Sequence, residues 1–132
     1  MRHRLPHVAA IITSLVALKL PAQMPSGDPV GTWRGTSTCQ VRPSACHDET
    51  AVYHITRMAV RDSFAIDGRR VVNGEEVEMG VLSCRFDATR AQLTCAIPQG
   101  VWRFTIRGDS LVGEMRSPDG TKTRDVRTAR SR

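Results

Sequence analysis

Past residue 30 the chain is punctuated at short, regular intervals by turn-forming residues, and this punctuation limits its fold more than any other feature. The markers are Asp62-Ser63, Asn73-Gly74, Asp87-Ala88-Thr89-Arg90, Pro98-Gln99-Gly100, Gly108-Asp109 and Ser117-Pro118-Asp119-Gly120. The runs between them alternate apolar and polar residues and are rich in β-branched and aromatic side chains, the pattern of consecutive antiparallel strands. No segment carries a sustained apolar stripe at helical spacing. The reading is all-β, with eight strands over 31–39, 50–59, 63–72, 77–86, 91–97, 101–107, 110–116 and 121–129. Every connection but the first is tight, so each strand pairs with the next. Eight short strands must bury one face, and rolling them into an antiparallel up-and-down barrel does so while removing both exposed edges. A two-sheet sandwich is the rival, although tight hairpins leave little room for its crossovers.

Alternation also assigns faces. Trp102, Phe104 and Ile106 point one way, and Arg103, Thr105 and Arg107 the other. Leu111, Gly113 and Met115 share the inner side with Leu93, Cys95 and Ile97, and Trp33 joins them. The fourth strand breaks phase: Val77 and Met79 follow one parity, Leu82, Cys84 and Phe86 the other. A β-bulge near Gly80 would reconcile them, and Gly68 could do likewise in the third strand.

Four cysteines form an even set, which reads as two disulfides in an oxidising compartment. Folding the hairpin about Thr89-Arg90 sets Phe86 opposite Leu93 and Cys84 opposite Cys95, within disulfide reach. Cys39 and Cys46 then clip the one long loop. Three connectivities remain formally open, with 39–46 and 84–95 favoured. A zinc site built on these cysteines and His47 has the right ligand types but not the spacing of a zinc knuckle, so no metal and no cofactor is expected.

The first 22 residues read as a secretory signal. Arg2 and Arg4 precede an apolar run from Val8 to Leu18, and Pro21-Ala22 offers a cleavage point. The run is shorter than the about 20 apolar residues a membrane-spanning helix needs, with an uncleaved short anchor as the alternative. The expected organisation is a signal peptide over 1–22, a flexible mature N-terminus over 23–30 and one barrel domain over 31–132, in a secreted or periplasmic monomer. Removing Arg2, Arg4 and Lys19 lowers the formal net charge from +6 to +3, because all 13 acidic residues lie beyond them. The remaining basic cluster, Lys122, Arg124, Arg127, Arg130 and Arg132, reads as the solvated face of a last strand, with no nucleic-acid role and no stable membrane insertion.

Gly31-Thr32-Trp33 on the first strand, the eight-stranded meander and a basic residue late in the chain resemble the calycin-type barrels: lipocalins, avidins and small bacterial metalloprotease inhibitors. The resemblance implies that Trp33 plugs one end of the barrel and that a late arginine packs across it. Arg124 is the structural candidate, sharing parity with Val126, with Arg127 as fallback. It implies binding activity more readily than catalysis, and architecture more than ligand.

The chemistry of individual residues points the same way. Cys46-His47-Asp48-Glu49 holds the groups of a catalytic loop, but a disulfide-bonded Cys46 is no nucleophile. His54 lies in an alternating strand, and Glu75, Glu76 and Glu78 read as a solvated hairpin rim. No catalytic residue is assigned. The expected ligand-binding residues are Tyr53, Phe64, Trp102, Phe104 and Met115, lining a mouth for a small apolar or amphipathic ligand. The inward glycines Gly31, Gly35 and Gly113 are expected to leave the space. The alternative, implied by the resemblance to the metalloprotease inhibitors, is a protein-binding module such as a protease inhibitor whose segment Gln23–Asp28 would enter the protease cleft.

Overall fold

A computed structural model describes residues 16–19 and 27–132. The expected signal segment therefore lies outside the described residues except for 16–19, and residues 23–26 of the expected N-terminal stub lie outside them as well.

Eight strands follow one another: β1 (Gly31–Cys39), β2 (Glu49–Arg57), β3 (Ser63–Val72), β4 (Glu75–Asp87), β5 (Gln92–Ile97), β6 (Gly100–Arg107), β7 (Ser110–Arg116) and β8 (Lys122–Arg130). Each pairs antiparallel with the next, and β1 pairs with β8 to close the barrel. The closed sheet rules out the sandwich. Turn chemistry accounts for the boundaries. Asn73 and Gly74 both take positive φ (50° and 82°), as a two-residue hairpin turn that follows strand twist requires, so β4 begins directly at Glu75. At the other end of β3, Asp62 turns at φ 58° and Met58 N donates to Ser63 O, which ends β2 two residues before the expected boundary.

The phase break in β4 is a bulge. Gly68 pairs with Gly80 and Arg69 with Glu78, which leaves Met79 as the extra residue. The insertion sits on β4, with Gly68 as its partner across the ladder. The cysteine pairing is the favoured one, Cys39 with Cys46 and Cys84 with Cys95. The second bond continues a ladder in which Phe86 pairs with Leu93, at a Cα separation of 4.3 Å.

Strand direction sorts the barrel into two ends. One gathers residues 28–30, the turns after β2, β4 and β6, and the C-terminus. The other gathers the long 40–48 loop and the turns after β3, β5 and β7. The first end is closed. Trp33 is fully buried, its Nε1 donates to Pro29 O at 3.0 Å, and a guanidinium lies 4.1 Å from its ring centroid. That guanidinium belongs to Arg130, not to Arg124 or Arg127. The cause is the closing register, which pairs Trp33 with Arg130 and Cys39 with Arg124, so that Arg124 stands at the opposite end. Arg127 faces outward and pairs with Asp125. Arg130 further donates to Val30 O and Asp28 O, both at 2.8 Å. Asp28 also accepts from Arg57 at 2.9 Å. Residues 28–30, expected to be flexible, are thus fastened across the closed end.

Above this plug the barrel is filled by Ile55, Phe64, Ile66, Leu93, Phe104, Ile106, Leu111 and Val126. Two glycines expected to leave space instead permit close packing. A Cβ at Gly113 would strike the Phe104 ring, and one at Gly35 would strike the Arg127 backbone of β8. Gly31 likewise faces the Arg130 guanidinium.

Arg130→Ala removes the cation–π contact and two hydrogen bonds from this plug. It should lower the unfolding free energy by about 2 kcal/mol, whereas Arg127→Ala on the outer face should change it by less than about 0.5 kcal/mol, both read from urea unfolding.

Candidate functional site

The second end stays open because its inward side chains do not meet. A cavity of about 290 Å³ lies between two unlike walls. Met79, Gly80, Val81 and Leu82 of β4, with Ile97 of β5 and Trp102 of β6, make an apolar wall. Ser37 of β1, Glu49 and Tyr53 of β2 and Arg124 of β8 make the opposing corner, with Gly68 between. A second depression of about 410 Å³ adjoins it under the long loop. It shares Ile97, Trp102 and Arg124 and adds Val41, Ser44, Cys46, Met115 and Thr123.

The floor is aromatic. Trp102 stacks on Phe104 with ring centroids 5.6 Å apart and planes within 4°, and Tyr53 meets Phe104 edge-on at 5.4 Å. Offset and edge contacts of this kind suit the ring quadrupoles and hold the floor rigid. Burial pushes the Tyr53 phenol up to about 12, opposed in part by the Ser37 hydroxyl and the Arg124 charge.

Arg124 organises the polar corner. Its Nη1 donates to Ser37 Oγ at 2.9 Å and lies 3.7 Å from Glu49 Oε2, and its Nη2 donates to His47 O at 3.1 Å. The loop that supplies His47 is pinned twice. The Cys39–Cys46 bond closes it, and Asp48 Oδ1 accepts from Cys39 N at 2.8 Å and from Arg42 Nη2 at 2.5 Å. Those donors, the Cys39 amide first, hold the Asp48 carboxyl below its usual range. The rim of the mouth is therefore built, with its carbonyls and charges fixed in place.

Of the expected ligand-binding residues, Tyr53 and Trp102 line the cavity and Met115 lines the adjoining depression. Phe104 is fully buried beneath them as floor. Phe64 belongs elsewhere: β3 carries it to the closed end, where it meets Phe86 edge-on and lies under Arg57. Arg124, expected at the plug, is instead the central polar residue of the mouth. Ser37, Glu49 and Leu82 also line it without having been expected there. Inward parity with Trp33 and Tyr53 marks Ser37 and Glu49, but Glu49 reads as the end of a loop rather than the start of β2.

The other candidate groups lie apart from the cavity. His54 is on the outer face, its Nδ1 3.0 Å from Thr32 Oγ1 and its Nε2 2.6 Å from Glu76 Oε1. Cys46 is disulfide-bonded, so the loop holds no thiol nucleophile. Among the described residues no cluster of three or more His, Cys, Asp or Glu is arranged to hold a metal.

Tyr53 is the sole tyrosine of the chain, so its ionisation can be read without overlap. The phenolate absorbance of the folded protein should rise with a midpoint near 12, against about 10 after denaturation. Because the folded state holds this proton more tightly, its stabilising contribution is complete below about pH 10 and is lost as pH climbs towards the folded value. No known family model and no curated protein matches this chain.

Proposed function

We propose that the protein is an exported, lipocalin-like carrier that holds one small apolar or amphipathic molecule in the open end of its barrel. The observation that carries this reading is the division of the interior. The closed half is packed solid around Trp33, while the open half keeps a cavity with one apolar wall, an aromatic floor and a single polar corner. Binding sites for small molecules are built in this way, with much apolar surface for affinity and a few placed polar groups for orientation. The two disulfides suit an oxidising compartment, which agrees with the export signal read over residues 1–22.

Binding rather than catalysis is also favoured by the state of the reactive groups. Cys46 is oxidised, and the Tyr53 phenol is pushed away from neutral pH rather than towards it. The alternative, a protease inhibitor acting through residues 23–28, would work from the opposite end of the barrel, because residues 28–30 are fastened there. The two activities are thus separable by mutation.

Titration with N-phenyl-1-naphthylamine, an uncharged probe whose fluorescence rises in apolar sites, tests the carrier reading. One saturable site with micromolar affinity is expected, abolished by Leu82→Arg in the cavity wall and unchanged by Val60→Arg at the far end. Absence of saturable binding, or equal loss in both variants, would sink it.

A further inference from the structure

The polar corner of the mouth holds two opposite charges rather than one. The Arg124 side chain is 20% exposed and that of Glu49 14%, and the pair stands 3.7 Å apart. No other residue lining the cavity is charged; Arg70, which pairs with Ala51 at the same end, is exposed and not part of the lining. Ser37 offers a hydroxyl, Tyr53 stays protonated far above neutral pH, and Met79, Leu82, Ile97 and Trp102 face them across the cavity. On the loop above, Asp48 and Arg42 are paired with each other.

This balance decides which polar heads the corner can accept. A carboxylate brought to Arg124 would also meet Glu49, leaving two negative charges against one positive beside two largely buried side chains. A neutral head meets no such repulsion. Its oxygen can accept from the Arg124 guanidinium or the Ser37 hydroxyl, while its O–H or N–H donates to the Glu49 carboxylate. With Arg124 as the donor both hydrogen bonds involve a charged partner, the stronger kind, and both leave the Arg124–Glu49 pair in place.

We infer that Glu49 sets the head-group specificity of the mouth, selecting amphipaths with a neutral hydroxyl or amide head over those with a carboxylate. The inference rests on the carrier reading and goes further, since that reading alone makes no distinction between heads. Glu49 acts here by occupying the charge of Arg124 that an anionic ligand would otherwise use.

The test is displacement of N-phenyl-1-naphthylamine at pH 8 by 1-decanol and by decanoate, for the wild-type protein and Glu49→Gln. In the wild type, decanol should displace the probe at a concentration at least about tenfold below that of decanoate. Greater hydrophobicity alone also favours the alcohol, so the variant is the deciding arm. Glu49→Gln should weaken decanol, which loses its charged acceptor, and tighten decanoate, so that the ratio of the two displacing concentrations shifts towards decanoate by about tenfold or more. Decanoate binding as tightly as decanol in the wild type overturns the inference, even if the variant does not fold. A folded variant whose decanoate affinity is unchanged overturns it equally. If the probe binds no saturable site in the wild type, the carrier reading itself fails, and the specificity falls with it.

Discussion

A sheet of eight strands keeps two unpaired edges until its first and last strands meet, and here they meet through seven registered pairs from Trp33–Arg130 to Cys39–Arg124. This seam differs from the others in kind. Every other neighbour pair is joined by a turn or loop that helps set its alignment, whereas β1 and β8 come from opposite ends of the barrel domain and find their register through side chains. The indole of Trp33 under the Arg130 guanidinium supplies that choice at one end. At the other end Ser37, which pairs in register with Val126, accepts from Arg124. A slip of one residue would turn both arginines outward and leave Trp33 without its cover.

The same register assigns the two arginines their different work. Arg130 falls where the interior is narrow and filled, so its charge is spent on carbonyls and an aromatic face. Arg124 falls three turns of the pleat further along, where the interior is open, so its guanidinium faces a cavity. Between them Phe104 acts as the partition. Gly113 gives its ring room to lie across the barrel, and Trp102 rests on it from above. Filled core and open mouth are thus two consequences of one aromatic stack and one missing side chain.

Much of this architecture could be read from residue order alone. Turn residues and alternation carry the strand count, the meander, the bulge near Gly80 and both disulfides, because each depends on neighbours close in sequence. The partner of Trp33 could not be read that way. Arg124 and Arg130 share one parity, and parity cannot say how far along β8 the closing pair lies. Phe64 fails for a related reason: alternation tells in from out, but not which end of the barrel an inward residue reaches. Glu49 was hidden at the junction of loop and strand. Its proposed role depends on being brought beside Arg124, 75 residues away in the sequence.

The ladder between β4 and β5 consists of only three registered pairs, Arg85–Thr94, Phe86–Leu93 and Asp87–Gln92, and the Cys84–Cys95 bond stands just past its end. Beyond that bond the two strands part, one bearing Leu82 and Gly80 and the other Ile97, all facing the cavity. The disulfide therefore works as a stop at the foot of a slit: the seam cannot unzip towards the core, yet above the stop the wall has no backbone ladder to bridge it. In the carrier proposed above, a guest with its head at the polar corner would not need to fit wholly inside, because the gap between β4 and β5 gives its tail a way out through the side of the barrel.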